Sequence, residues 1–252
     1  MKVSVITATY NSARTIQDTL RSLEQQTYHD IEYIIVDGAS SDETLELVKR
    51  ECSRVTTVIS EPDRGIYDAL NKGILAATGD VIGFLHSDDV FATKESVQQI
   101  VNAFVKNKTD AVYGDLQYVS ASDPSKIIRL WKSGEYSKNK LKRGWMPPHP
   151  TFYMKREIYE KLGVFDLSYK IAGDYDSLLR YLWVGNVSMS YCEDVLIKMR
   201  IGGASNRSLK NIWLKSCEDS RALKNSGLSV VPALFWKNVS KIPQFIFKKQ
   251  SN

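Results

Sequence analysis

The feature that most constrains this chain is an alternation of strand-length apolar runs with helix-length periodic segments across its first third. Lys2 to Ala8 reads as a strand, and after Asn11 and Ser12 the residues Ile16, Leu20 and Leu23 recur at helical spacing. Ile31 to Val36 predicts a second strand ending in Asp37-Gly38. Ser40 and Glu43 then stand at capping-box spacing ahead of Leu45, Leu47 and Val48. Val55 to Ile59 predicts a third strand, Ile66 to Ala77 a helix and Val81 to Leu85 a fourth strand. Strands that alternate with helices in this way must all run in one direction. The pattern therefore predicts a mostly parallel sheet with helices on both faces, wound by right-handed crossovers.

The second half reads differently. After a helix over about Lys94 to Lys106 come strands near Ala111 to Val119 and Ile127 to Trp131, then a Gly- and Pro-marked segment from Gly144 to Pro150. A helix over about Asp174 to Trp183, a strand near Val195 to Met199, a Gly202-Gly203 break and a helix over about Leu209 to Asn225 complete a mixed α+β half. The two halves are expected to share one core, with the extreme C-terminus as an appendage. Residues 197–252 carry 11 Lys or Arg against 2 acids, so the net charge of +5 hides a basic tail on a mildly acidic body. That confinement of charge, without a recognition module, argues against nucleic acid as a partner. Cys52, Cys192 and Cys217 are too scattered for a disulfide framework or a zinc site. With no signal-peptide pattern and no apolar run of about 20 residues, the chain reads as cytosolic, with any membrane contact peripheral.

Chemistry concentrates at the predicted strand ends. The run Gly79 to Leu85 is followed by His86-Ser87-Asp88-Asp89. In open α/β sheets ligands bind beyond the carboxyl ends of strands, and paired carboxylates there suit a hard divalent cation bridging to phosphate. The competing reading is that one of these acids caps the helix starting near Thr93. Asp37 ends the second strand beside Thr7-Ala8-Thr9 of the first, and such a carboxylate can accept hydrogen bonds from a nucleobase imide or a ribose hydroxyl. In Glu61 to Gly73, Arg64 stands before Gly65 and a helix start, a setting that suits diphosphate oxygens.

Val5 to Asn11, Ile35 to Asp42, Asp63 to Gly73 and Phe84 to Asp89 together resemble, in order, the motifs of family-2 glycosyltransferases of GT-A fold. The resemblance covers roughly residues 1–205. It implies a donor-binding half over about 1–110, an acceptor-side half over about 111–205 and a basic helical extension over 206–252. It further implies that Thr7, Ala8, Thr9, Asn11, Asp37, Asp63, Arg64, Asp68, Ser87 and Asp88 face the donor. Asp88 and Asp89 would hold Mn²⁺ or Mg²⁺ on the donor diphosphate. The common Asp-x-Asp-Asp form reads His86-Ser87-Asp88-Asp89 here, so Asp88 becomes the favoured ligand, while His86 could contact ribose or metal. Ala172-Gly173-Asp174 resembles the segment that supplies the catalytic base, with Asp174 as base and Gly173 in place of the usual Glu. Trp145 and His149 would stand near the acceptor or leaving diphosphate, and Gly203 in a gate.

These implications add up to an inverting, metal-dependent glycosyltransferase of hexosyl-transferring type. Its donor would be a nucleoside diphosphate sugar, with UDP-sugars favoured, and its acceptor a saccharide, expected to be lipid-linked, in bacterial surface-polysaccharide assembly. The apolar and basic tail suits anionic lipid, the protein's own core or a homodimer contact alike. A nucleotidyltransferase, or a nucleotide-sugar binding module that has lost catalysis, are the competing functions. An NAD oxidoreductase is disfavoured because no G-x-G-x-x-G follows the first strand.

Overall fold

The computed structural model describes residues 1–202 and 209–239. Gly203, with the rest of the expected gate to Arg207, and the basic stretch from Lys241 to Lys249 lie outside them. All seven residues of β1 (Val3–Thr9) are buried, which is why the strand holds only apolar residues and small hydroxyls. β2 (Ile31–Asp37) and β4 (Val81–Phe84) flank it in parallel register, and β3 (Val55–Ser60) adds an edge parallel to β2. Its alternating exposure is that of a strand with one wet face.

Successive side chains of β1 and β2 feed two cores. Val3, Val5, Tyr33 and Ile35 pack with Leu20 and Leu23 of α1 (Ile16–Glu24), Leu47 and Val48 of α2 (Thr44–Glu51) and Ile100 of α4 (Ser96–Asn107). Ile6, Ala8, Ile34 and Val36 face the other way, onto Leu70 and Ile74 of α3 (Ile66–Ala76). The expected parallel sheet with helices on both faces is thus present. The capping box is not: α2 starts at Thr44 without a side-chain cap, and the Ser40 hydroxyl is spent on Asp37 instead.

The sheet continues without a break into the second half. β8 (Tyr153–Lys155) runs antiparallel to β4, β6 (Ala111–Val119) antiparallel to β8, β9 (Met189–Arg200) parallel to β6, and β5 (Val90–Phe91) antiparallel to β9. β7 (Ile127–Trp131) is a further antiparallel partner of β6. Gly83 allows the crossing at β4, since a Cβ there would lie 2.0 Å from the Tyr153 ring. β9 is longer than the sequence suggests, because Met189 to Tyr191 pair with the start of β6 before the register shifts near Gly114.

A short helix α5 (Lys138–Leu141), then α6 (Arg156–Leu162) and α7 (Gly173–Leu179), cover the second half, and α7 runs on as a π-helical turn over Arg180–Val184. The C-terminal helices α8 (Leu209–Asn225) and α9 (Val230–Val239) dock on α7. Ala222, Leu223, Leu228 and Ala233 close a third core with Tyr169, Ala172, Tyr175 and Leu179. Lys237 is buried, 2.9 Å from Asp219 and 3.3 Å over the Tyr175 ring. As far as Val239, then, the expected appendage is part of the packed body. Among the described residues no helix is long and apolar enough to cross a membrane.

Candidate active site

Parallel register brings the carboxyl ends of β1, β2 and β4 to one edge, where Thr9 lies opposite Asp37 and the Leu85 amide bonds the Ile6 carbonyl. Asp37 is fully enclosed. Its carboxylate accepts the Ser40 amide at 2.9 Å, the Ser40 hydroxyl at 2.5 Å and the Ser60 hydroxyl at 2.8 Å. Asn11, in the left-handed region at φ 48°, accepts the Ser41 amide at 2.9 Å and donates its own amide to Ser40 Oγ at 2.8 Å. The ends of β1 and β2 are thereby tied into one turn, with Asp37 as its anchor. Thr9 Oγ1 is buried there without a partner, whereas Ala8 belongs to the apolar core. Thr7 departs from its expected role: its hydroxyl donates to the Leu85 carbonyl at 2.5 Å and lies 3.0 Å from the Tyr33 hydroxyl, wholly inside the protein.

The next segment leans on this turn. A Cβ at Gly38 would stand 2.5 Å from Asp63 Oδ2, so the glycine allows Asp63 its close approach. Asp63 in turn accepts the Gly65 amide at 2.8 Å, and Gly65, at φ 114°, starts α3. The exposed Arg64 guanidinium meets Asp68 at 3.2 Å, and Asp68 also accepts the Arg64 amide at 3.0 Å. These bonds from Arg64 hold the Asp68 carboxyl below its ordinary range. Asp68 therefore orients Arg64, and the rest of the guanidinium remains in solvent.

Beyond β4, Ser87 Oγ lies 3.0 Å from Ser12 Oγ, which links the site to the start of α1. The adjacent acids part company. Asp88 is half-buried, and its carboxylate accepts no hydrogen bond from the described residues; its carbonyl is held by Arg200 Nη1 at 2.8 Å. Asp89 is enclosed, and burial together with the charge of Asp88 pushes its carboxyl well above the ordinary range, against the opposing pull of Arg200. Both Asp89 oxygens are buried without a hydrogen-bond partner, so Asp89, expected to share the cation with Asp88, keeps an enclosed and unspent carboxyl group beside it. Neither acid caps a helix, since β5 intervenes and α4 starts only at Ser96.

His86 is half-buried, with Nδ1 enclosed and unpartnered and its ring 6.1 Å from that of His149, which stacks on Phe84 at 5.3 Å. Burial, then the neighbouring His86, holds the His149 pKa at about 3. Burial likewise lowers His86, although Asp88 and Asp174 pull the other way. Both imidazoles are thus neutral near pH 7. Asp174, in the first turn of α7, accepts the Tyr175 amide at 2.8 Å, and burial raises its pKa while Lys215 and Lys237 oppose the rise. Asp176, by contrast, is tied to Arg180 at 3.0 Å. Trp145 is wedged between Tyr113 and Tyr136, with ring centroids at 5.8 and 6.1 Å.

Among the described residues no three His, Cys, Asp or Glu side chains are grouped to cage a metal ion. A free carboxylate on Asp88 beside an unpartnered imidazole on His86 nevertheless fits a cation that takes one or two protein ligands and completes its shell from substrate phosphate and water. Sequence reasoning had assigned no role to Ser12, Tyr67, Arg200 or Glu218. Each acts through a contact across 47 or more residues, which no local pattern signals.

The family described as Glycosyl transferase family 2 matches residues 4–166, from β1 through α6. This chain belongs to that family. It is 32% identical over 205 residues to an uncharacterized glycosyltransferase of Mycobacterium tuberculosis, covering 78% of this chain and 72% of that one. It is 28% identical over 218 residues to a PGL/p-HBAD biosynthesis glycosyltransferase of Mycobacterium bovis, covering 84% and 82%. The fold is shared with S. aureus TarS 1-349, at TM-score 0.73 and 19% identity over 99% of this chain and 76% of TarS. A Pyrobaculum calidifontis mannosyltransferase solved with GDP-Man and Mn²⁺ matches at TM-score 0.60 and 18% identity, over 98% and 81%. The protein is accordingly a glycosyltransferase of GT-A fold. The family match ends before Asp174, so α7 to α9 of this family-2 enzyme lie outside it.

Proposed function

We propose that this glycosyltransferase moves a sugar, with inversion, from a UDP-sugar to a saccharide hydroxyl, with Asp174 as base and a divalent cation held by Asp88. The observation that carries the reading is that His86, just beyond β4, is within electrostatic reach both of Asp88, a carboxylate free to bind, and of Asp174 on α7, a carboxylate whose pKa burial raises. Asp37, through the turn it anchors, and Thr9 would hold the nucleoside, and Arg64, steadied by Asp68, the diphosphate. TarS, solved with UDP-GlcNAc, shares the fold and supports a UDP donor.

Asp88, assisted by His86, would hold Mn²⁺ or Mg²⁺, which when bound neutralises charge on the departing diphosphate. Asp174 takes the proton from the attacking hydroxyl, and a positioned carboxylate contributes roughly 10²- to 10⁴-fold to such a step. Attack opposite the leaving group inverts the anomeric centre. Incubation with a panel of nucleoside diphosphate sugars and Mn²⁺ is expected to release the nucleoside diphosphate. Pyrophosphate released from a nucleoside triphosphate and a sugar 1-phosphate, with no nucleoside diphosphate released from any sugar donor, would overturn the reading in favour of a nucleotidyltransferase.

The acceptor we propose is lipid-linked, met by the enzyme at a membrane surface. The support is a groove of about 430 Å³ lined by Lys142, Arg143, Trp183 and Trp236, with Phe235 and Val231 exposed beside it on α9. Tryptophans among cations are the composition of an interfacial contact with anionic lipid. The double variant Lys142→Glu, Arg143→Glu is expected to lose sedimentation with anionic vesicles while retaining transfer to a water-soluble acceptor. Unchanged sedimentation would remove the membrane part.

A further inference from the structure

Glu218, on α8, is buried, and its carboxylate is spent entirely on the chain that leads into α7. Oε1 accepts the Lys170 amide, and Oε2 accepts the amides of Ile171 and Ala172, each at 2.9 Å. From the opposite side the Tyr67 hydroxyl, on α3, donates to the Ile171 carbonyl at 2.7 Å. It accepts the Gly173 amide at 3.0 Å and faces that of Asp174 at 3.4 Å. The fit leaves no slack: a Cβ on Gly173 would stand 2.8 Å from the Tyr67 ring, which accounts for glycine at this position. α8 is itself fixed, since Asp219 pairs with Lys215 at 3.1 Å and Lys237 at 2.9 Å, and Ala222 and Leu223 are fully buried against α7.

Stability alone does not call for this arrangement. Taking a carboxylate out of water is costly, and an apolar side chain of similar volume would join two helices as well or better. What three amide bonds to one carboxylate add is a unique placement of residues 170–172, directly ahead of Asp174.

We propose that Glu218 and the Tyr67 hydroxyl are positioning residues for the transfer step. They set the carboxylate of Asp174 against the reacting hydroxyl, so that α8, outside the family match, belongs to the catalytic unit. The proposal rests on Asp174 being the base. Glu218 touches neither donor nor acceptor and acts only through the entry to α7. A displaced base leaves donor binding intact and slows the chemical step, and a misplacement of about 1 Å costs up to roughly 100-fold.

The test uses the full chain with its sugar donor and Mn²⁺, and compares Glu218→Gln, Glu218→Asp, Tyr67→Phe and Asp174→Asn. Rates are normalised to the concentration of nucleotide-binding sites, so unfolded molecules do not count. Glu218→Gln and Tyr67→Phe are each expected to lower kcat by about 10- to 100-fold with the donor KM within about twofold of wild type. Glu218→Asp, which keeps the charge, is expected to recover part of kcat. Normalised kcat at the wild-type value in both Glu218→Gln and Tyr67→Phe would overturn the proposal. So would a rise in donor KM matching the loss in kcat, the mark of a merely structural role. Asp174→Asn separates the two levels: if it transfers at the wild-type rate the base assignment itself fails. If it is inactive while Glu218→Gln and Tyr67→Phe keep full kcat, only the positioning role fails.

Discussion

Asp88 and Asp89 show how far two neighbouring acids can differ: neither carboxylate accepts a hydrogen bond from the described residues, yet one is half-buried and the other enclosed. Asp174 is the residue whose titration matters most. Burial raises its pKa, Lys215 and Lys237 hold the rise in check, and Asp219 adds to it; His86 and Tyr67 are the other titratable groups it faces. As a base it must be ionised, so activity is expected to fall as pH drops through this raised value, an acid limb above the ordinary carboxylate range. Lys215→Met removes an opposing cation and leaves Asp219 less well neutralised. Its limb should therefore move to higher pH in a profile of kcat, and a limb that moves down or not at all contradicts the assignment. The positions of Asp37, Asp88 and Asp174 were legible because each follows an apolar run or opens a helix. Which acids point toward a ligand was not, because strand alternation ends where the loop begins.

Long elements were readable and short ones were not. β1, β2 and β6, of seven to nine residues, announce themselves by their density of β-branched and aromatic residues, whereas β5 and β8, of two and three residues, are too short to display any period. The Ser40–Glu43 spacing misled because an Asp three residues before Ser40 competes for its hydroxyl and wins. At the opposite edge of the sheet from the site, Glu32 of β2 joins three elements. It accepts the Ser4 hydroxyl at 2.5 Å, the Thr78 amide at 2.7 Å and hydroxyl at 2.6 Å, and Lys2 Nζ at 2.9 Å. Burial works to raise its pKa, yet these hydrogen bonds hold it at about 2. A depressed carboxyl stabilises the fold at pH above its unfolded value, and that contribution fades as pH falls toward the folded value. Glu32→Gln should therefore cost about 1.5–3 kcal/mol at neutral pH in urea unfolding. The gap to wild type should close between about pH 4.5 and pH 2. A gap constant across that window would contradict the network.

On the scale of the whole molecule, one sheet, nine-stranded among the described residues, joins the two halves of the chain, and α8 and α9 complete the second of them. The alternation of the first half made the parallel sheet legible. The docking of the C-terminal helices was not, since a basic helix with an apolar face serves protein and lipid equally well. A chain ending at residue 208 leaves Tyr169, Ala172, Tyr175 and Leu179 uncovered. Burial of each large apolar side chain is worth about 1.5–3 kcal/mol, so the thermal midpoint should fall by about 5 °C or more, and an unchanged midpoint would show the docking to be without weight. The central claim, a donor site completed by a cation on Asp88, is tested most directly by thermal stabilisation with UDP, GDP, dTDP and CMP, with and without Mn²⁺, in wild type and Asp88→Ala. The account predicts a Mn²⁺-dependent shift with UDP in the wild type that disappears in Asp88→Ala. No shift with any nucleotide, or an equal shift in both proteins, would contradict it.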